Sequence, residues 1–339
     1  MALAAAISPI WWSQAISNEV YGLNLLFVSL IFLFLIQLLK ENNIRRNFLL
    51  LAYVLGLAFT NHLQTILLFP TVLLLLFFKW RAWKLDFRIF LTAVFLFTLG
   101  LSPYLYLPIR SAAGPLADWG GTSDWGNFLR HVTGWQYRVY IFDIPFDQVL
   151  ENGRAAAATV AAQLKWPFWI LLPGLFFVRF PSRKVLLPLF LYPVIILIYN
   201  AGYDIPDIDL YYLPVIFNFF LLVGAGAFGW FSILSKLEKG RGLARAGILV
   251  WLLFATAYTA VSNWNSSDQS KNRFAQEALE NIYRSASGGG LVLTNVWDHY
   301  APWLYNHFVL GRRPGLLMLD VNLTNRSWYL DFLGRAHPE

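Results

Sequence analysis

Long apolar runs alternate along this chain with short polar connections. Uninterrupted runs cover residues 21–39, 90–107, 185–199, 210–234 and 247–261, and a sixth ends at Val178. About 20 apolar residues suffice to cross ~30 Å of hydrocarbon as a helix, because each residue adds ~1.5 Å. Residues 48–78 form a longer stretch, broken by Asn61, His62 and Gln64. That is too long for one upright span, so it predicts two short helices turning at Asn61 and His62. The pattern therefore predicts an all-α polytopic membrane protein of about eight spans. Continuous apolar runs exclude a barrel, whose strands alternate.

Beyond residue 263 the pattern changes. SSDQSKNRFAQEALENIYRSASGGG has the spacing of an amphipathic helix with a glycine stop. LVLTN reads as a strand, VWDHYAPWLYNHFVLG as a helix and GLLMLD as a second strand. Strand, helix, strand over so short a length predicts a small α/β module with a parallel pair. The division expected is a membrane core at 1–262, carrying a long loop at 108–155, and a non-cytoplasmic α/β module at 263–339.

Composition agrees with the pattern. Of 339 residues 58% are hydrophobic and only 13% charged, too few charges to cover a soluble domain. A net charge of +7 would suit nucleic acid, but the basic residues sit in short blocks between apolar runs, as topology signals do. Nucleic acid is therefore not an expected partner. With no cysteine, disulfides and thiolate metal sites are excluded.

The basic blocks set the expected sidedness. Lys40, Arg45 and Arg46 lie in one connection; Lys79, Arg81, Lys84 and Arg88 in the next; Arg179, Arg183 and Lys184 in a third; Lys236, Lys239, Arg241 and Arg245 in a fourth. Together they hold 14 of the 26 basic residues but only Glu41, Asp86 and Glu238 of the 19 acidic ones. These four connections are expected in the cytoplasm. The other face then carries Glu19, the Asn61 and His62 turn, the loop 108–155, the AGYDIPDIDLYY connection and the tail. Since the span centres are nearly bare of ionisable residues, chemistry is expected at that non-cytoplasmic interface, not along a transport path.

Each candidate has a plain and a functional reading. Glu19 stands where a loop enters a span: an acid complementing the helix dipole with Asn18 as cap, or a carboxylate that orients a hydroxyl. His62 is either a turn histidine or a site residue. Arg110 can snorkel to the interface, or hold a phosphate oxygen pair with its planar fork. Asp118 suits a turn beside glycine, and Trp119 an interface anchor or a sugar-stacking platform. In HVTGWQYRVY, Trp135 and Arg138 repeat the pairing of aromatic and cation. Asp204, Asp207 and Asp209 flank Pro206 and read as a solvated hairpin or as a cation site. His299 and His307 lack ligand spacing, so no metal site is assigned. No phosphate-binding loop, dinucleotide fingerprint, nucleophile elbow or HExxH is present. The triplets at Asn265, Asn322 and Asn325 fit glycan acceptors of a secretory compartment.

WWSQAISNEVYGLNLLF, GLAFTNHLQTILLFP, SPYLYLPIRSAAGPLADWG with HVTGWQYR, and LVLTNVWDHYAPWLYNHFVLGRRPGLLMLDVNLTNRSWY together resemble the membrane family called domain of unknown function 2723. That family belongs to the GT-C superfamily of polytopic glycosyltransferases and includes the animal transmembrane O-mannosyltransferase of receptor ectodomains. The resemblance implies a GT-C-like helical bundle that transfers a sugar, mannose in that relative, from a polyprenyl-phosphate carrier to a protein or glycan acceptor on the non-cytoplasmic face. In a bacterium this would be the inner or plasma membrane. It carries Glu19, Asn61, His62, Arg110 and Asp118 over as substrate-site residues, and leaves a divalent cation as an open question. GT-C enzymes also place an acid in their first outer loop, and no segment here matches it. The opening MALAAAISPIWW reads as the trailing half of a helix, so earlier helices and that loop are expected upstream. Glu19 is then the nearest catalytic carboxylate. Transport or flipping of a lipid-linked sugar, or a non-catalytic scaffold, are the alternatives.

Overall fold

The computed structural model describes residues 1–17, 19–178, 183–205, 207–237, 240–286 and 289–337. Asn18, Arg179, Pro206, Glu238 and Lys239 lie outside the described residues, as do the side chains of Arg183 and Lys184. The chain forms two compact units: residues 1–104 with 132–267, and residues 105–131 with 268–339.

The first unit is helical. Among the described residues five helical segments are long and apolar enough to cross a membrane: Tyr21–Leu39, Leu63–Trp83, Phe87–Ala112, Ile208–Leu234 and Arg241–Ser267. A sixth follows if Phe146–Gln163 and Trp166–Phe177, bent by 95°, make one broken span. Helices also occupy the other two expected positions. Ile44–Asn61 spends its first turn on Arg45, Arg46 and Asn47, and Arg183–Ala201 contains Pro188 and Pro193. The turn expected at His62 is present, between Ile44–Asn61 and Leu63–Leu68.

Packing follows a seven-residue stripe. In Tyr21–Leu39 the buried positions are Tyr21, Asn24, Leu25, Val28, Ile31, Phe32, Leu35, Leu38 and Leu39, the a and d spacing of packed helices. Off the stripe, Leu23, Leu26 and Leu33 are about half exposed. Large apolar residues elsewhere stand out further, with Phe77 and Val261 each 80% exposed. Such surfaces suit lipid contact, not water. Helices Ile44–Asn61 and Phe87–Gly100 meet where Gly56 faces Gly100. A Cβ on Gly56 would come within 2.2 Å of the Phe97 carbonyl oxygen, and one on Gly100 within 2.4 Å of the Tyr53 oxygen. Small residues let membrane helices approach this closely.

Two basic connections meet at one end of this unit, where Lys79 Nζ lies 3.0 Å from Glu41 Oε1. Nearby, Asp86 caps the helix Phe87–Gly100 by accepting from Ile89 N at 2.8 Å. The opening residues do not continue as one helix, because Ser8 breaks them into Ala2–Ala6 and Pro9–Ala15. Its Oγ donates to the Ala5 oxygen at 2.7 Å, and Asn263 Nδ2 donates to the Ile7 oxygen at 3.1 Å.

The second unit carries the expected α/β module. Strands β1 (Gly290–Thr294) and β2 (Leu316–Asp320) pair in parallel, with Gly290 opposite Leu316 and Thr294 opposite Asp320. Helix Trp297–Leu304 connects them, and Phe274–Ser285 is the predicted amphipathic helix. Leu279, Tyr300, Trp303, Met318, Tyr329 and Phe332 form the core. Trp303 Nε1 donates to the Leu316 oxygen at 3.2 Å. Tyr329 Oη accepts from Asp320 N at 3.0 Å, so these two core side chains are tied to the strand.

Candidate functional site

At one end of the first unit the helix Tyr21–Leu39 starts, Ile44–Asn61 and Arg183–Ala201 finish, and the turn Ile208–Tyr212 leads into Leu213–Leu234. The residues between these elements form an aromatic and acidic cluster. Tyr21 Oη donates to Asp207 Oδ2 at 3.3 Å. The His62 ring lies 5.5 Å from that of Tyr21 and 5.1 Å from that of Tyr211. Tyr203 packs on Tyr211 at 5.6 Å. Asp207 is exposed, so a carboxylate with one oriented hydroxyl partner faces solvent.

His62 is the most constrained member. Its Nδ1 accepts the Gln64 backbone N–H at 3.2 Å. In the neutral ring that acceptor role assigns the proton to Nε2. Burial lowers its pKa to about 4, with Asp207 pulling the other way. A neutral Nε2–H donor results. Gln64, only 5% exposed, donates from Nε2 to the Tyr211 oxygen at 3.0 Å and to Asn200 Oδ1 at 3.5 Å.

Of the other expected residues, Asn61 spans two helices, donating from Nδ2 to the Val20 oxygen at 3.1 Å. Glu19 is exposed, two residues before Tyr21. Asp204, Asp207 and Asp209 do not converge: Asp207 takes Tyr21, Asp209 Oδ1 accepts from Thr159 Oγ1 at 3.4 Å, and Asp204 is exposed. Among the described residues no three His, Asp or Glu side chains are placed to hold a metal ion. Arg138 lies over the Trp135 ring at 4.4 Å. Their turn runs into a segment that docks on the aspartate connection, with Asp204 N donating to the Tyr140 oxygen at 3.1 Å and an antiparallel bridge between Ile141 and Tyr203.

Arg110, Asp118 and Trp119 belong to the second unit. Arg110 is exposed in the last turn of Tyr106–Ala112. Asp118 Oδ2 accepts from Ser111 Oγ at 2.8 Å, and Ser111 Oγ accepts from Ser123 N at 2.9 Å, closing the loop on itself. The Trp119 ring lies 4.4 Å from Trp328 and 6.3 Å, edge-on, from Trp297. It is still 47% exposed.

Sequence pattern pointed to His62 and Asp207 but passed over Tyr21, Tyr203 and Tyr211. Their signal was the alternation of tyrosine with aspartate in YDIPDIDLYY, which reads equally as an interfacial aromatic belt. Gln64 was visible only as an interruption of an apolar run.

Comparison with known proteins adds a second line. The family model described as "Protein O-mannosyl-transferase TMEM260 N-terminal domain" matches residues 1–86. The mouse protein named "Protein O-mannosyl-transferase TMEM260" is 24% identical over 370 aligned residues, covering 99% of this chain and 51% of the relative. The chain thus spans about half the length of that curated relative. No solved structure matches. With this similarity running along nearly its whole length, the chain is related to the animal protein O-mannosyl-transferase TMEM260.

Proposed function

We propose that the protein is a GT-C type glycosyltransferase that moves mannose from a polyprenyl-phosphate carrier to a hydroxyl of a protein acceptor, on the non-cytoplasmic face of a membrane. The observation that carries this reading is the similarity over 99% of the chain to a protein named for O-mannosyl transfer. The cluster of Tyr21, His62 and Asp207 supplies chemistry that fits.

In the reaction the acceptor oxygen bonds to the sugar's anomeric carbon while the bond from that carbon to the phosphate oxygen breaks. The carrier leaves as polyprenyl phosphate, and the hydroxyl proton goes to a base. Asp207 is the base in this reading, with one carboxylate oxygen oriented by Tyr21 Oη at 3.3 Å. Glu19, exposed two residues before Tyr21, is the other candidate carboxylate. The Nε2–H of neutral His62 donates to a sugar or acceptor oxygen, and Asn61 positions the turn that bears it. Arg138, steadied on Trp135, is assigned to charge on the carrier phosphate. Arg110 offers the same fork in the second unit, and Trp119 an exposed indole face for a sugar. Asp118 holds the Trp119 loop through Ser111.

The test is incubation of membranes containing the full-length gene product with labelled polyprenyl-phosphate mannose and a hydroxyl-bearing acceptor peptide. Release of unlabelled carrier phosphate with label on the peptide is expected. Binding of the lipid without cleavage would overturn the reading in favour of transport.

A further inference from the structure

The second unit holds a cavity that the proposed transfer chemistry does not use. Its volume is about 710 Å³, and its lining includes Leu279, Tyr283, Asn306, Arg312 and Arg313. Leu279 is buried, while both arginines are exposed.

The backbone goes to some length to place the arginines there. After helix Trp297–Leu304 the chain takes a π-turn at Tyr305–Val309, a wide turn frequent at functional sites. Gly311 and Arg313 then both adopt left-handed conformations, at φ 64° and 49°. Glycine takes that region freely, whereas an arginine there is strained and must be held. Leu316 N donates to the Arg313 oxygen at 3.0 Å. Asn306 fixes Arg312 beside it. Its Nδ2 donates to the Pro302 oxygen at 2.9 Å, its carbonyl accepts from Arg312 N at 2.9 Å, and its Oδ1 accepts from Arg312 Nη1 at 3.3 Å. The Arg313 guanidinium carbon lies 5.9 Å from the Tyr283 ring centre.

Two features leave this cavity short of a partner. The Tyr283 hydroxyl is buried and makes no hydrogen bond among the described residues. Neither Arg312 nor Arg313 has an ion pair among the described residues. Glu280, also in the lining, is turned to others: its Oε1 accepts from Gln276 Nε2 at 3.0 Å and its Oε2 lies 3.9 Å from Arg284.

We infer that this cavity binds a phosphate group, with Arg312 and Arg313 on the phosphate oxygens and the Tyr283 hydroxyl donating to a third. Two guanidinium forks and a hydroxyl offer more donors than the two oxygens of a carboxylate can accept, and match the three terminal oxygens of a phosphomonoester. The ligand is either a small soluble phosphate compound or the head group of a phosphorylated lipid.

The experiment is calorimetric titration of the full-length protein in detergent, with inorganic phosphate in one arm and short-chain phosphatidic acid in the other. Saturable binding in the phosphate arm supports a soluble ligand, and saturation by phosphatidic acid alone supports a lipid head group. In either case the double variant Arg312→Ala with Arg313→Ala should weaken binding at least tenfold, and Tyr283→Phe should weaken it by a smaller factor. Both arginines are exposed, so the variant should fold, and its circular dichroism and melting should match the parent. Absence of binding in both arms, or equal binding by the double variant, overturns the inference. Mannosyl transfer by the same variant reads separately on the proposed function.

Discussion

Tyr21 and Asp207 are 186 residues apart in the chain, yet the Tyr21 hydroxyl donates to Asp207 Oδ2 at 3.3 Å. The bond ties the start of the first span to the connection before Leu213–Leu234. If it orients the base, Tyr21→Phe should keep the fold and lower kcat for mannosyl transfer. A loss of about tenfold is expected, the worth of one hydrogen bond to a charged group at ~1.5 kcal/mol. KM for the lipid donor should change little. A wild-type kcat in Tyr21→Phe would remove the hydroxyl from the mechanism.

His62 gives the cluster a pH dependence. Its pKa falls from 6.5 to about 4 in the folded protein. Between those values the unfolded chain binds a proton that the folded chain does not, so folding weakens as pH falls. The contribution is fully present above pH 6.5 and lost on descending toward 4, to an extent of about 3 kcal/mol at most. Thermal unfolding in detergent should therefore show a lower Tm at pH 5 than at pH 7, and His62→Gln should flatten that difference. An unchanged slope in the variant would show that His62 is not the group responsible.

Close helix contact at Gly56 and Gly100 makes a stability prediction. Gly56→Ala forces a methyl group to within 2.2 Å of the Phe97 oxygen, and the strain should cost about 1–3 kcal/mol. Gly22, where an added Cβ would meet nothing within 4 Å, is the matched control. Melting of the two alanine variants in detergent should separate them, Gly56→Ala alone losing stability.

Much of this architecture was legible because a bilayer imposes strict rules. Length of apolar run located helices such as Tyr21–Leu39, and the polar interruption at Asn61 and His62 located a turn. The strand pair followed from local pattern, as LVLTN and GLLMLD became β1 and β2. The bend of 95° after Gln163 was passed over, although Lys165 and Pro167 mark it: the backbone is extended at Leu164 and Lys165, and Pro167 sits in the first turn of the next helix. For the site, sequence singled out charged residues, which are rare in membrane proteins and stand out. It passed over the tyrosines because an aromatic at an interface is ordinary. The partner of Asp207 could be found only by folding, since the two ends of that hydrogen bond lie in distant segments.

Sidedness can be read directly, because the sequence has no cysteine to interfere. Asp204→Cys and Lys84→Cys each place a thiol at an exposed position, one beside the aspartate connection and one in a basic connection. A membrane-impermeant maleimide should label the first only from the non-cytoplasmic side and the second only from the cytoplasmic side. Labelling of both from one side would contradict the assignment of opposite faces.

Mannosyl transfer by Asp207→Asn is the most direct measurement of all. In single-turnover assays with labelled polyprenyl-phosphate mannose, the full-length variant should bind the lipid as the parent does. Transfer to the acceptor peptide should fall by at least ~100-fold, as expected for loss of a general base. Transfer at the parent's rate would show that Asp207 is not the base and would contradict the site placed around Tyr21 and His62.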